Sequence, residues 1–331
     1  MELLEREIYK RYIEVMGVAG QHHSYHLRRS GNPAVPPTVS FAELLDNYDV
    51  FCFDGYGTLY NRGDFVYPGA LKMFRSLREA GKQVRLITNA ASDVDEVLAR
   101  DAAKRGFDFS KAETISSGSL LRDLARELRG ESVASDLRAG TAFTSVLKLR
   151  EVYYIGRETG KHVLEACGIS AISPDAYPEE PVVAISSAKE TPETYARVVE
   201  ILRRPNAVLL VLNSDAWAPK VDGSREPVSG ALSERLRRDS VCGANQGLGC
   251  STFYLGKPFP AIWKKVRESL DPFYTGDSAP RIIMIGDTLG TDILGARMAG
   301  FDSALVVGRN QPKKELEEDQ QFLGILPDYY L

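Results

Sequence analysis

Apolar residues follow two rhythms along this chain. Short runs dominated by apolar residues fall at 50–53 (VFCF), 84–88 (VRLIT), 151–155 (EVYYI), 182–186 (VVAIS), 207–212 (AVLLVL), 253–255 (FYL), 281–286 (RIIMIG) and 302–307. Runs of this length and composition predict strands buried on both faces of parallel sheets. Between them, apolar positions at helical spacing predict helices near 68–80, 93–105, 160–168 and 192–204. Ser92 with Asp95 reads as a capping box for the second of these, and Thr191 as the cap of the last, with Pro192 at its first position. Leu3, Leu4, Ile8, Tyr12, Ile13 and Met16 predict a further helix over 2–16, one that packs on the body or on a partner. Residues 17–39 lose the pattern and carry Pro33, Pro36 and Pro37, as a linker or surface arm does. Ser40 is placed to cap a short helix over 41–47. A helical stretch over 113–130 is expected to lead away from the core, and 131–149 has too little periodicity to assign.

Strand and helix alternate in two separate blocks, which predicts an α/β fold. At 331 residues the chain is long for one core and suits two domains. The expected architecture is a Rossmann-like, doubly wound parallel-sheet core interrupted by an inserted α/β cap domain. The expected boundaries are 1–39 for the N-terminal helix and linker, 40–112 and 251–331 for the core, and 113–250 for the cap.

Polar residues cluster where four of the strands end. Asp54 follows VFCF and is succeeded by Gly55, Tyr56, Gly57 and Thr58; Thr88 and Asn89 close VRLITN; Lys257 sits between glycine and proline in FYLGKPFP; Asp287 and Asp292 flank Gly290 in RIIMIGDTLGTDILGA. A carboxylate at the carboxyl edge of a parallel sheet lies where such folds bind ligands, and a glycine turn beside it offers backbone N–H groups to an anion. Taken singly, these are also an ordinary Asp-Gly turn, a turn aspartate and a surface lysine. Strands of one parallel sheet end on one edge, however, so all four clusters can converge there.

Their order resembles the haloacid dehalogenase superfamily, dominated by Mg²⁺-dependent phosphatases. Asp54 to Leu59 match its nucleophile loop, Thr88 and Asn89 its second motif, Lys257 its third, and Gly286-Asp287 through Asp292 its fourth. The segments LITNAAS at 86–92, GKPFPAIW at 256–263 and GDTLGTDILGA at 286–296 are more specifically similar to the 4-nitrophenylphosphatase and pyridoxal phosphatase branch. The resemblance implies phosphoryl transfer to Asp54 from a small phosphorylated metabolite, with Mg²⁺ as cofactor. It implies catalytic roles for Asp54, Lys257 and Thr88, and contacts to phosphate or substrate from Gly55, Tyr56, Asn89, Asn213 and Asp215. The metal would be held by Asp54, the backbone carbonyl of Tyr56 and Asp287, with Asp292 reaching it through water or orienting Lys257. Asn213, Ser214 and Asp215 end a predicted cap strand and resemble the Asn-Pro-Asp segment of the branch; a plain turn there is the equal alternative.

Tyr56 departs from the pattern. Phosphatases of this superfamily place a second aspartate two positions after the nucleophile, where it protonates the leaving oxygen and then activates water. A phenol, with an ordinary pKa of about 10, is a poor base at neutral pH. The 2-haloacid dehalogenases also carry tyrosine there, because a departing halide needs no proton. Asp287 and the α/β character of the insert favour metal-dependent phosphoryl chemistry over metal-independent dehalogenation. A third reading is a binding or regulatory member of the fold crippled by Tyr56.

Composition narrows the partners. A net charge of −4 gives no general attraction to nucleic acid or anionic membrane, and no apolar run approaches the ~20 residues of a membrane helix. The charged N-terminal segment lacks a signal peptide's apolar region. Cys52, Cys167, Cys242 and Cys250 show no metal-ligand spacing, which makes a reducing cytoplasm the expected location. His22, His23 and His26 read as a solvated loop, although a metal site there is conceivable. A homodimer through the cap is left open.

Overall fold

The computed structural model describes residues 5–17, 35–129, 149–240, 251–274 and 279–331. The histidine cluster, Cys242, Cys250 and nearly all of 131–149 lie outside these. The expected α/β fold is present, built on two all-parallel sheets beside a small antiparallel pair, Trp217–Pro219 with Arg225–Pro227. The first has the strand order Tyr329–Tyr330, Asp302–Leu305, Ile282–Gly286, Val50–Phe53, Gln83–Thr88, Thr114–Ser116. The second runs Ser251–Tyr254, Val208–Val211, Val182–Ile185, Glu151–Ile155, Ser170–Ala171.

Period-two alternation sorts the central strands onto two apolar faces each. Phe51 and Phe53 join Phe74, Leu86 and Phe107 on one face of the first sheet. Val50 and Cys52 point the other way, into a cluster that also holds Val152, Val182 and Leu210 of the second sheet. Helices Ser117–Leu128 and Pro260–Glu268 contribute Leu121, Leu124, Ile262 and Trp263 to that shared core. Tyr153, Ile155, Val183 and Ile185 face the far side of the second sheet, with Val198, Leu202, Leu236 and the N-terminal Tyr9 and Tyr12. Each fully buried large apolar side chain contributes roughly 1.5–3 kcal/mol. The N-terminal helix, Glu5–Val15, therefore packs on the body of its own chain.

Three local expectations are corrected. The segment 113–130 does not lead away from the core: Thr114–Ser116 is a strand paired with Leu86–Thr88 at the edge of the first sheet. The Ser92–Asp95 capping box is absent because Val94 caps the helix Asp95–Lys104, and Asp95 instead accepts a 2.5 Å hydrogen bond from Ser116 Oγ. Most consequential is Ser251–Tyr254, expected in the core with the Lys257 loop after it. It pairs with Val208–Val211 and forms the edge of the second sheet. The sheets thus divide at neither 112/113 nor 250/251, and Lys257 is delivered to the convergent edge from the second sheet. Among the described residues no helix is long and apolar enough to cross a membrane.

Candidate active site

The strand Val50–Phe53 ends at Asp54, whose N–H still donates to Ile285 O at 3.0 Å, so the carboxylate is fixed by the ladder. The chain then turns sharply, with Leu59 N and Tyr60 N both donating to Gly55 O. Gly57 adopts φ +97°, and a Cβ there would lie 1.8 Å from Asp287 Oδ2. Only glycine lets the loop after Asp54 lie this close to the carboxylate of the neighbouring strand.

Lys257 is buried and spends all three ammonium protons inside the protein. Nζ donates to Asp54 Oδ1 at 2.5 Å, Asp292 Oδ1 at 2.7 Å and Ile87 O at 2.9 Å. Asn89 grips the same residue by its backbone: Lys257 N donates to Asn89 Oδ1 at 2.7 Å, while Asn89 Nδ2 donates to Lys257 O at 3.1 Å. Nδ2 also reaches Asp215 Oδ1 at 2.8 Å and Ser214 Oγ at 3.1 Å. Expected as a phosphate ligand, Asn89 has its amide engaged in tying the two sheets' loops together, because Lys257 arrives from the second sheet and needs an anchor on the first. Asn213 lines the cleft, half-buried, with its Oδ1 accepting from Asp215 N at 2.8 Å. Thr88 Oγ1 accepts from Ala90 N at 3.1 Å, and its side chain lines the cleft.

Asp292 lies in a buried π-helical turn, Leu289–Ile293. Its Oδ1 meets Lys257 and its Oδ2 accepts from the N–H groups of Asp287 and Thr288, each at 3.1 Å. Asp292 thus ties Lys257 to the backbone that presents Asp287. Asp287 accepts from Thr288 Oγ1 at 3.1 Å and from Asn310 N at 3.2 Å. Thr288 and Asn310 carried no sequence signal; Asn310 falls in an ordinary polar turn, GRNQP.

Oxygens of Asp54, Asp287 and Asp292 lie within 4.8 Å of one another. Burial pushes Asp54 up to about 7, with Lys257 opposing and Asp292 and Asp215 adding to the rise. Burial, then Asp54 and Asp292, hold Asp287 well above the usual carboxylate range. Asp215 is raised to about 6, again chiefly by burial. For Lys257 burial acts downward, but Asp292, Asp54 and Asp215 outweigh it and keep the ammonium charged. Three buried carboxyls and the half-buried Asp215 thus crowd one lysine, an excess of negative charge relieved by protons or by a cation. An all-oxygen, carboxylate-rich donor set suits a hard divalent ion such as Mg²⁺.

Tyr56 also lines the cleft, with Arg157, Ser186, Asp215 and Trp217 facing it from the second sheet's side. Its ring stands edge-on to Tyr60 at 5.2 Å, and burial raises the phenol's pKa further. The site therefore keeps Tyr56 protonated through neutral pH.

The chain is similar in sequence and fold to known proteins. A profile of haloacid dehalogenase-like hydrolases matches residues 51–170, and a second profile of the same hydrolases matches 254–330, together more than half of the chain. Mouse chronophin is 28% identical over 305 residues, covering 88% of this chain and 93% of its own. The 4-nitrophenylphosphatase of Schizosaccharomyces pombe is 25% identical over 314 residues, covering 88% and 93%. A crystal structure of a possible sugar phosphatase from Cytophaga hutchinsonii superposes with a TM-score of 0.72 at 23% identity, covering 89% of this chain and 97% of its own. The chain belongs to the haloacid dehalogenase superfamily and is a hydrolase of its phosphoric monoester type.

Proposed function

We propose that this protein is a Mg²⁺-dependent phosphohydrolase that acts on a small phosphorylated metabolite through an aspartyl-phosphate on Asp54, with the second sheet and its helices serving as the cap. The observation that carries the reading is the placement of Lys257 Nζ between Asp54 and Asp292, beside Asp287, in one buried cluster. Asp54 Oδ1 is held by Lys257, which leaves Oδ2 to attack phosphorus. A bond forms from Oδ2 to phosphorus as the ester P–O bond breaks, and the leaving oxygen departs with the bonding pair. Water then attacks the aspartyl-phosphate, releasing inorganic phosphate and restoring the carboxylate. The charge of Lys257 would act on the shifting charge through Asp54, while Thr88 and the remaining N–H groups after Asp54 would face the phosphoryl oxygens during both steps. Asp54, Asp287 and the Tyr56 carbonyl would hold Mg²⁺, which when bound neutralises the phosphoryl group and keeps the carboxylates ionised.

Asp287→Ala should lose Mg²⁺ binding measured by calorimetry and, with it, turnover. A variant that binds Mg²⁺ like the native chain would remove Asp287 from the metal site. Assays of phosphate esters and of 2-haloacids, with and without EDTA, separate this reading from its rivals. Halide release that survives EDTA would establish a dehalogenase, and no turnover of either class would leave a binding protein.

The carboxyl cluster also sets a pH dependence. Asp54 and Asp215 titrate near 7 and 6 in the fold, against about 3.9 when unfolded. Their raised values contribute stability that is complete below pH ~4 and lost as pH rises through 6 to 7. Metal-free protein should accordingly melt lower at pH 8 than at pH 5.5. Mg²⁺ should raise the melting temperature more at pH 8, where it no longer competes with protons. Thermal melts in EDTA and in Mg²⁺ at the two pH values test this; an equal Mg²⁺ effect at both would contradict it.

A further inference from the structure

The N-terminal helix, Glu5–Val15, precedes every motif of the site, yet its buried face meets three of the loops that build it. Tyr9 lies flat against Gly290, where a Cβ would fall 1.9 Å from its ring, so the turn that presents Asp292 is seated on this side chain. Tyr12 is fully buried and donates its hydroxyl to Ser214 O at 2.6 Å, one peptide before Asp215. The same ring packs against Tyr254 at 4.9 Å and Phe259 at 5.3 Å, the aromatic residues on either side of the Lys257 loop. Glu5 continues the row. It accepts from Tyr9 Oη at 2.8 Å, pairs with Arg225, and lies 3.5 Å from Asn310 Nδ2. Asn310 is the residue whose N–H holds Asp287 and whose amide holds Thr288 Oγ1 at 2.8 Å. Arg225 in turn donates to Asn310 O at 2.9 Å.

These contacts come from both sheets. Ser214, Tyr254 and Arg225 belong to the second sheet's side, while Gly290 and Asn310 follow strands of the first. A single helix therefore spans the seam across which Lys257 must reach Asp54.

We infer that the helix Glu5–Val15 is a brace of the catalytic apparatus, with Glu5, Tyr9 and Tyr12 as positioning residues that hold the Asp292 turn, the Lys257 loop and the Ser214–Asp215 loop in register. None of the three touches the reacting atoms. The effect on rate follows from geometry, since a displacement on the order of 1 Å in groups around a phosphoryl centre can cost about 10²-fold. The inference rests on the phosphohydrolase reading for its kinetic consequence, while the contacts themselves stand apart from it.

The test uses the full chain with Tyr12→Phe and Glu5→Gln. The first removes one hydroxyl and keeps the ring stacked on Tyr254 and Phe259; the second is isosteric. Steady-state rates on 4-nitrophenyl phosphate, taken well below the melting temperature, should show kcat reduced about three- to tenfold in each, the range of one lost buried hydrogen bond. Amide exchange read by mass spectrometry should quicken in Tyr12→Phe at 213–215 and 288–293 and stay native elsewhere. A fall in melting temperature with kcat and KM within about twofold of native would reduce the helix to a stabilising element and overturn the inference, as would unchanged exchange in both loops. Should the native chain itself hydrolyse no phosphate ester, the phosphohydrolase reading fails, and the exchange measurement still decides the brace.

Discussion

Asp54→Asn is expected to abolish turnover while the fold persists. The amide oxygen occupies the position of Oδ1 and still accepts from Lys257 Nζ, so the 2.5 Å contact has a neutral successor. The nitrogen that replaces the attacking oxygen cannot form the aspartyl-phosphate. Removal of a nucleophile costs roughly 10⁴-fold or more where it acts together with its neighbours. Stability moves the other way. The variant deletes one of four crowded carboxyls, relieving the repulsion that lifts Asp287. The melting temperature of the metal-free protein should hold or rise, most visibly at pH 8. Phosphate release and thermal melts on the same sample check both halves. Activity within about tenfold of native would take Asp54 out of the mechanism.

The legible parts of this protein are those in which one local pattern has few alternative uses. An apolar run that ends in Asp-Gly, as at Asp54, or in Gly-Asp, as at Asp287, announces a strand and a turn together, and both aspartates stand where those patterns place them. Arg85 did not spoil the strand Gln83–Thr88, because its guanidinium is satisfied by Val84 O, Ser269 O and Ser269 Oγ, each at 2.8 Å. Pairing partners, by contrast, are not written in a strand's own residues. Ser251–Tyr254 reads as a strand in either sheet, and only contacts 43 residues away at Val208–Val211 decide between them. Asp95 shows the same override at a helix start, where a distant Ser116 outcompetes the local cap. The N-terminal helix displayed its apolar face in sequence but not what that face covers. Asn89 matched its motif, yet its ties to Lys257, Ser214 and Asp215 emerge only when the two sheets meet.

Tyr56 predicts the largest departure from ordinary phosphatase behaviour. Its phenol is held against Tyr60 with a raised pKa, so it is a weaker proton donor to a leaving oxygen and does not become a base toward water near pH 7. General acid catalysis typically contributes about 10²–10⁴-fold. Phosphates whose leaving group departs unprotonated, such as acyl phosphates or 4-nitrophenyl phosphate, should therefore outrun sugar phosphates by a factor in that range. Tyr56→Asp should narrow the gap by raising the alkyl rates, at some cost in stability from the lost ring contact with Tyr60. Initial rates on a series of esters graded by leaving-group acidity, for both proteins, supply the test. Equal rates on aryl and alkyl esters in the native chain would sink the argument from Tyr56. They would instead direct attention to Asp215, a carboxyl in the same cleft that burial keeps near a pKa of 6 and that Asn89 holds at 2.8 Å.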